Sequence, residues 1–200
     1  MTTFFPDRPI PQVDAVVIGA SAGGLQALTV LVEGLSSRFR LPLLVVQHIP
    51  PHGSSCLVSV FQNKTKLRVK EVDEKELVSP GTLYFAAPDY HLLVEEDYCL
   101  SLSQCEAVNF SRPSIDVLFE SAVDAWGERL VGILLTGASE DGAAGLEKVH
   151  WAGGLTIVQE PTEAQVATMP RAALQRFTPD FILPLREIHR LLCELECRNA

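Results

Sequence analysis

The chain has 200 residues, 47% hydrophobic and 20% charged, the balance of a compact globular protein and not of a disordered one. Sixteen basic against 25 acidic residues leave a formal charge of −9, an acidic balance that argues against a nucleic-acid partner. No apolar run approaches the roughly 20 residues of a membrane span, and five cysteines without C-x-x-C spacing (Cys56, Cys99, Cys105, Cys193, Cys197) read as free thiols of a reducing, cytoplasmic compartment.

"MTTFFPDRPIPQ", residues 1–12, carries three prolines and no apolar core of signal-peptide length, so it reads as a loose leader. "DAVVIG" is a strand entering a helix over Leu25–Leu35, with apolar residues at Leu25, Leu28, Val32 and Leu35. "LPLLVVQH" is a second strand, followed by a helix over Ser54–Phe61. The stretch "GTLYFAAPDYHLLVEEDYCLSLS" breaks this rhythm. Its two or three short strands, joined through Pro88-Asp89 and Glu96-Asp97, predict an antiparallel flap or edge. "RLVGILLTG" then precedes a helix over Ala143–Trp151, and "GGLTIVQ" precedes a helical segment around Ala172–Phe177. "FILPL" opens a last helix from Arg186 to Glu196. Continuous apolar strands alternating with helices indicate an α/β protein, its parallel sheet covered on both faces. No linker divides the chain, and residues 13–196 are expected to form a single domain.

The bend after the first strand is the most informative local feature. Gly19-Ala20-Ser21-Ala22-Gly23 has almost no bulk and places a serine between a strand and a helix, the pattern of a nucleophile elbow. The first N–H groups of the helix would face whatever the serine attacks. A phosphate-binding turn or a plain helix cap would use similar residues. Against a nucleotide site, Ser21 occupies the place of the second glycine in G-x-G-x-x-G, and no Walker ending follows. "ILLTGASEDGAAGL" repeats the strand, Gly-Ala-Ser, helix arrangement, so two similar bends present side chains at the carboxyl ends of strands.

A nucleophilic serine needs a base. Among five histidines, His48 ends a buried run on the same rim as Ser21. His52 lies in the loop beyond, His91 opens a strand of the flap, and His150 and His189 fall within helices. Asp141 follows another buried strand and can orient an imidazole; Glu140 competes for that role, and Ser139 is a rival nucleophile. Metal readings are poorer. Pro50-Pro51 prevents a helix from aligning His48 with His52. His189, Cys193 and Cys197 share a helix face whose other members are apolar, which favours packing over a metal site.

With these residues assembled, the chain resembles the catalytic domain of the chemotaxis protein-glutamate methylesterases (CheB). The likeness runs from about Val13 to Leu192 through "VVIGASAGG", "VVQHIP", "SPGTLYFAAPDYHLL", "FSRPSIDVLFESA", "GILLTGASEDGAAGL", "AGGLTIVQEP" and "TMPRAAL", in family order. The resemblance implies a doubly wound, mostly parallel α/β sheet with a small antiparallel hairpin insertion and no cofactor. It assigns the nucleophile, base and acid to Ser21, His48 and Asp141, with the backbone of Ala138 and, as a second candidate, Ala22 facing the oxyanion. The implied reaction is hydrolysis of glutamate γ-methyl esters on chemoreceptor signalling helices, with release of methanol, and deamidation of receptor glutamines beside it.

Two departures from the family pattern bear on substrate and control. Family members of the two-component type carry a receiver domain ahead of the esterase, and only the leader stands there in this sequence, so regulation is expected from a separate protein. The family loop T-G-M-G-x-D-G reads Thr136-Gly137-Ala138-Ser139-Glu140-Asp141-Gly142. Arg112 and Arg171 are candidates to meet an acidic receptor helix, and Met169 to line the ester pocket. The alternative function is a weak homologue that binds signalling helices as an adaptor, although an adaptor needs none of the three polar residues.

Overall fold

The computed structural model describes residues 3–6, 9–49 and 56–199. Its strands are β1 (Ala15–Ala20), β2 (Leu43–Gln47), β3 (Arg68–Glu71), β4 (Thr82–Phe85), β5 (His91–Val94), β6 (Leu100–Ser103), β7 (Leu130–Leu134), β8 (Leu155–Gln159) and β9 (Phe181–Leu183). Its helices are α1 (Gly24–Val32), α2 (Leu57–Phe61), α3 (Ile115–Trp126), α4 (Ala143–Trp151), α5 (Thr168–Arg176) and α6 (Leu185–Asn199). Seven strands make one sheet in the order β3-β4-β2-β1-β7-β8-β9, with every neighbouring pair parallel. β5 and β6 form a separate antiparallel hairpin.

The period-2 geometry of a strand explains why the central runs are apolar throughout. Along β1, Val16, Ile18 and Ala20 enter one core, while Ala15 and Val17 enter the other. On the first face α1 and α6 cover the sheet through Leu28, Leu31, Ile188, Leu191 and Leu195. On the second, α3, α4 and α5 do so through Leu118, Phe119, Leu146, Val149 and Ala173. Each fully buried leucine or phenylalanine contributes about 1.5–3 kcal/mol of transfer free energy, so the two layers together hold the sheet flat against its helices.

Between β1 and β7 the strand order reverses: the chain winds outward to β2 on one side and to β8 on the other. The carboxyl ends of both strands open into this crevice, where doubly wound sheets place ligands. Ser21 follows β1, His48 follows β2, and Asp141 lies between β7 and α4.

The structure departs from the sequence expectation in two places. "GTLYF" is not part of the flap: β4 lies inside the parallel sheet between β2 and β3, and all four of its residues are buried. Only β5 and β6 are antiparallel. The partner that covers β4 is β3, an edge strand of sequence RVKE with no apolar run to announce it. The leader is not loose at Phe4 and Phe5. Both rings meet Phe181 edge-on at 5.8 Å, the Phe4 N–H donates to the Glu194 carboxylate, and the Arg190 guanidinium stands 4.5 Å over the Phe4 ring. Of the helix expected over Ser54–Phe61, α2 covers Leu57–Phe61, while Ser54, Ser55 and His52 lie outside the described residues.

Candidate active site

The elbow at Ser21 is closed by the backbone. The Ser21 N–H donates to the Thr136 carbonyl at 3.0 Å, and the Ser21 carbonyl accepts from the Gly24 N–H at 2.8 Å. Gly23, at the N-cap of α1, has φ 81°, a left-handed conformation that glycine adopts without a Cβ clash. The same loop is pressed from the β7 side: a Cβ on Gly137 would lie 2.9 Å from Ser21 Cβ and 2.4 Å from Met169 Cε. The Thr136 hydroxyl donates to the Ala22 carbonyl at 2.8 Å and accepts from the Val166 N–H at 2.9 Å, which joins a third loop to the elbow.

Gln47, the last residue of β2, fixes the spacing between serine and histidine. Its Nε2 donates to the carbonyls of both Ser21 and His48, each at 2.9 Å. The His48 N–H in turn donates to Ala20 O at 2.9 Å, extending the β1–β2 ladder past the strand ends. The His48 side chain is 14% exposed and its Nε2 lies 2.9 Å from Asp141 Oδ2, whose side chain is fully buried. With Asp141 ionised, Nε2 carries the proton and donates, which leaves Nδ1 with a lone pair as the basic nitrogen. Ser21 Oγ and His48 are not hydrogen-bonded to each other among the described residues.

Asp141 sits at the N-terminus of α3. Its Oδ2 accepts from the Ile115 N–H at 2.7 Å, and its Oδ1 accepts from Ser114 Oγ at 2.8 Å, the Asp116 N–H at 3.2 Å and Asn109 Nδ2 at 3.2 Å. Burial pushes the carboxyl up, but hydrogen bonds from His48, Ile115 and Ser114 outweigh it and hold Asp141 below the usual aspartate value. The positive end of the α3 dipole acts in the same direction. Asp116 beside it behaves oppositely. Burial first, then the charge of Asp141, push its carboxyl up to about 6 despite a 2.6 Å hydrogen bond from the Gly145 N–H. Asn109 Nδ2 spans the two acids, donating also to Asp116 Oδ2 at 2.8 Å.

Glu140 is exposed and makes no bond to His48, so the carboxylate beside the imidazole is that of Asp141. Ser139 Oγ lies 4.0 Å from Met169 Sδ and accepts from the Asp141 N–H at 3.4 Å, with no base against it among the described residues. The N–H groups of Ala22 and Ala138, both on exposed residues, donate to no acceptor among the described residues. Met169 is fully buried beneath Gly137, so it supports the elbow from behind and does not line a substrate surface. Arg112 bridges Asp89 through Nε and Nη2 (2.9 and 2.7 Å) and donates through Nη1 to the carbonyls of Gln104 and Cys105. Arg171 is exposed on α5 and forms no ion pair among the described residues.

Sequence reasoning missed Gln47, Thr136, Asn109, Ser114 and Asp116. The one available signal was Ser114-Ile115-Asp116 as a helix start, whose free N–H groups suit an anion. His91 is structural: its Nδ1 accepts from the Ser114 N–H at 3.1 Å and its Nε2 donates to Glu106 O at 3.1 Å. His189 Nδ1 donates to Leu31 O at 2.9 Å, tying α6 to α1, and no group of three metal-type ligands occurs among the described residues. The Cys197 side chain lies outside the described residues. No helix among the described residues is long and apolar enough to cross a membrane.

The family model for CheB methylesterase matches residues 16–192, a span that holds the whole crevice. The chain belongs to that family. A solved CheB methylesterase catalytic domain from Thermotoga maritima superposes with a TM-score of 0.87 at 31% identity, over 92% of this chain and all of that one. The Myxococcus xanthus protein-glutamate methylesterase FrzG is 36% identical over 94% of this chain but 56% of its own length, so the chain spans about half of that relative. A Leptospira interrogans protein, provisionally assigned as protein-glutamate methylesterase/protein-glutamine glutaminase, is 42% identical over 93% of this chain and 96% of its own. Family membership makes the chain a methylesterase-type hydrolase of chemotaxis signalling, on a doubly wound sheet.

Proposed function

We propose that this chain removes methyl groups from glutamate γ-methyl esters of chemoreceptor-type signalling proteins, with Ser21 as nucleophile, His48 as general base and acid, and Asp141 as the group that orients His48. The observation that carries the reading is the 2.9 Å contact of His48 Nε2 with a buried, ionised Asp141, on the crevice rim that Ser21 shares. Ser21 Oγ attacks the ester carbonyl and gives its proton to His48 Nδ1. The oxyanion takes hydrogen bonds from the N–H groups of Ala138 and Ala22. The carbon–methoxy bond then breaks, and methanol leaves with the proton from His48. Water, deprotonated by His48, attacks the acyl-enzyme; the tetrahedral intermediate collapses to a glutamate carboxylate and restores Ser21. The same steps on a glutamine amide release ammonia, and Arg171 offers an unpaired cation to an acidic receptor helix. The reaction runs in the cytoplasm without a cofactor.

The test is incubation of the intact chain with a methylated cytoplasmic receptor fragment, followed by methanol and by the mass of the fragment. Methanol release with matching loss of methyl groups is the expected result. Binding without methanol above background would replace the reading with that of a helix-binding adaptor.

A further inference from the structure

The most exposed large apolar side chain of the described residues stands beside the site. Phe110 is fully exposed, its ring out in solvent. It occupies a two-residue turn closed by Val108 and Ser111, which exchange N–H···O bonds of 3.2 and 2.9 Å. Both central residues are left-handed, Asn109 at φ 49° and Phe110 at φ 60°. Asn-Gly ordinarily fills such a turn, because glycine, lacking a Cβ, adopts the left-handed second position without a steric penalty. Asparagine tolerates the left-handed region, whereas phenylalanine adopts it against its own sterics. A residue that is strained, apolar and fully solvated gains nothing for the fold, and such outliers cluster where function requires them.

The turn is moored to the chemistry. Asn109 Nδ2 reaches both Asp116 and Asp141, so the ring is carried on a segment that holds the acid behind His48. Phe110 and His48 line one cavity of about 280 Å³, with Ile49, Asp89, Arg112 and Pro113 among its other walls. That volume admits a side chain but not a helix, which with its side chains is about 10–12 Å across. A ring standing at the mouth therefore meets what lies outside, on the body of a polypeptide whose side chain has entered.

We propose that Phe110 is a specificity-determining residue for a protein substrate: its ring packs against apolar side chains of the polypeptide that carries the ester, next to the modified glutamate. The proposal rests on the methylesterase reading and names the part of the chain that separates a protein ester from a small one. Truncating an aromatic anchor at an interface commonly raises the dissociation constant by about tenfold or more. A soluble ester that reaches only Ser21 and His48 lacks that contact.

The experiment compares the intact chain with Phe110→Ala and Phe110→Gly on two substrates, a methylated receptor fragment and p-nitrophenyl acetate. For both variants, KM for the fragment should rise about tenfold more than KM for the small ester, with kcat falling much less. Phe110→Gly should also raise the melting temperature, as relief of a left-handed phenylalanine requires. Equal changes on the two substrates, or no change on either, would overturn the assignment of Phe110 and leave the methylesterase reading standing. Failure of the intact chain to release methanol from the fragment would overturn both.

Discussion

Replacing Asp141 by asparagine separates orientation of the imidazole from simple presence of a polar group. The aspartate accepts five hydrogen bonds: His48 and Ile115 on Oδ2, and Ser114, Asp116 and Asn109 on Oδ1. An asparagine has one acceptor oxygen, and its amide group must face donors on one edge. If the NH2 takes the Oδ2 position, it opposes both His48 Nε2–H and the Ile115 N–H, and the imidazole must shift its proton to Nδ1. That is the nitrogen needed as base, so methanol release should fall about 10³–10⁴-fold with little change in KM. If the NH2 takes the Oδ1 position, the Asp116 N–H and Asn109 Nδ2 both lose their acceptor, two orphaned donors against one, so the first arrangement prevails. Either way a buried N–H is orphaned, at about 1–3 kcal/mol, and the α3 N-terminus loses its anion, at about 1 kcal/mol. Loss of the desolvation cost offsets part of this, for a net destabilisation of about 2 kcal/mol. The assay is methanol release at saturating fragment, paired with urea denaturation. An Asp141→Asn chain that keeps more than about a tenth of the intact kcat would refute the role given to this carboxylate.

Asp116 gives a pH prediction of definite sign. Its folded value of about 6 lies above the ordinary 3.8, so the folded state carries no penalty below about pH 4 and loses roughly 2–3 kcal/mol as pH rises through 6. Asp116→Asn should therefore remove that decline in urea-denaturation stability between about pH 4 and pH 7; parallel curves for the two proteins would contradict it. Asp141, whose value is depressed, contributes in the opposite sense, stabilising above its unfolded value and losing that contribution as pH falls through its folded one. Gly137→Ala drives a Cβ toward Met169 Cε and Ser21 Cβ, so kcat should fall at least about tenfold for a stability loss of about 1–3 kcal/mol. Unchanged kinetics would show that the elbow does not depend on this close approach. Phe5→Ala removes a 4% exposed ring packed on Phe181 and should cost about 2–4 kcal/mol by denaturation, with kcat unaffected; a negligible cost would show the leader to be undocked.

The three polar residues of the crevice could be found in the sequence because each follows a strand buried on both faces. Such strands read as apolar runs, and the loops that leave their carboxyl ends fall on one rim whatever the strand order. "VVIGASAGG", "LPLLVVQH" and "RLVGILLTG" all carry that signal. The order itself carried none: β4, a four-residue buried run just ahead of the hairpin, reads like another of its strands, and the polar edge strand β3 has no apolar run to announce it. The shell around Asp141 was also hidden. Asn109 and Ser114 lie 32 and 27 residues from it in sequence and meet it only because α3 packs its first turn against the β7–α4 loop. Met169, expected to line the ester pocket, lies fully buried under Gly137, and only that close approach reveals it as support for the elbow.

The most direct test of Ser21 as the nucleophile is single-turnover methanol release from a methylated receptor fragment by four proteins: the intact chain, Ser21→Ala, His48→Ala and Ser139→Ala, each checked for native melting. Loss of release in Ser21→Ala and His48→Ala, with Ser139→Ala close to the intact rate, is the expected result. Persistence of release in a folded Ser21→Ala chain, or its loss only in Ser139→Ala, would contradict the assignment of nucleophile and base.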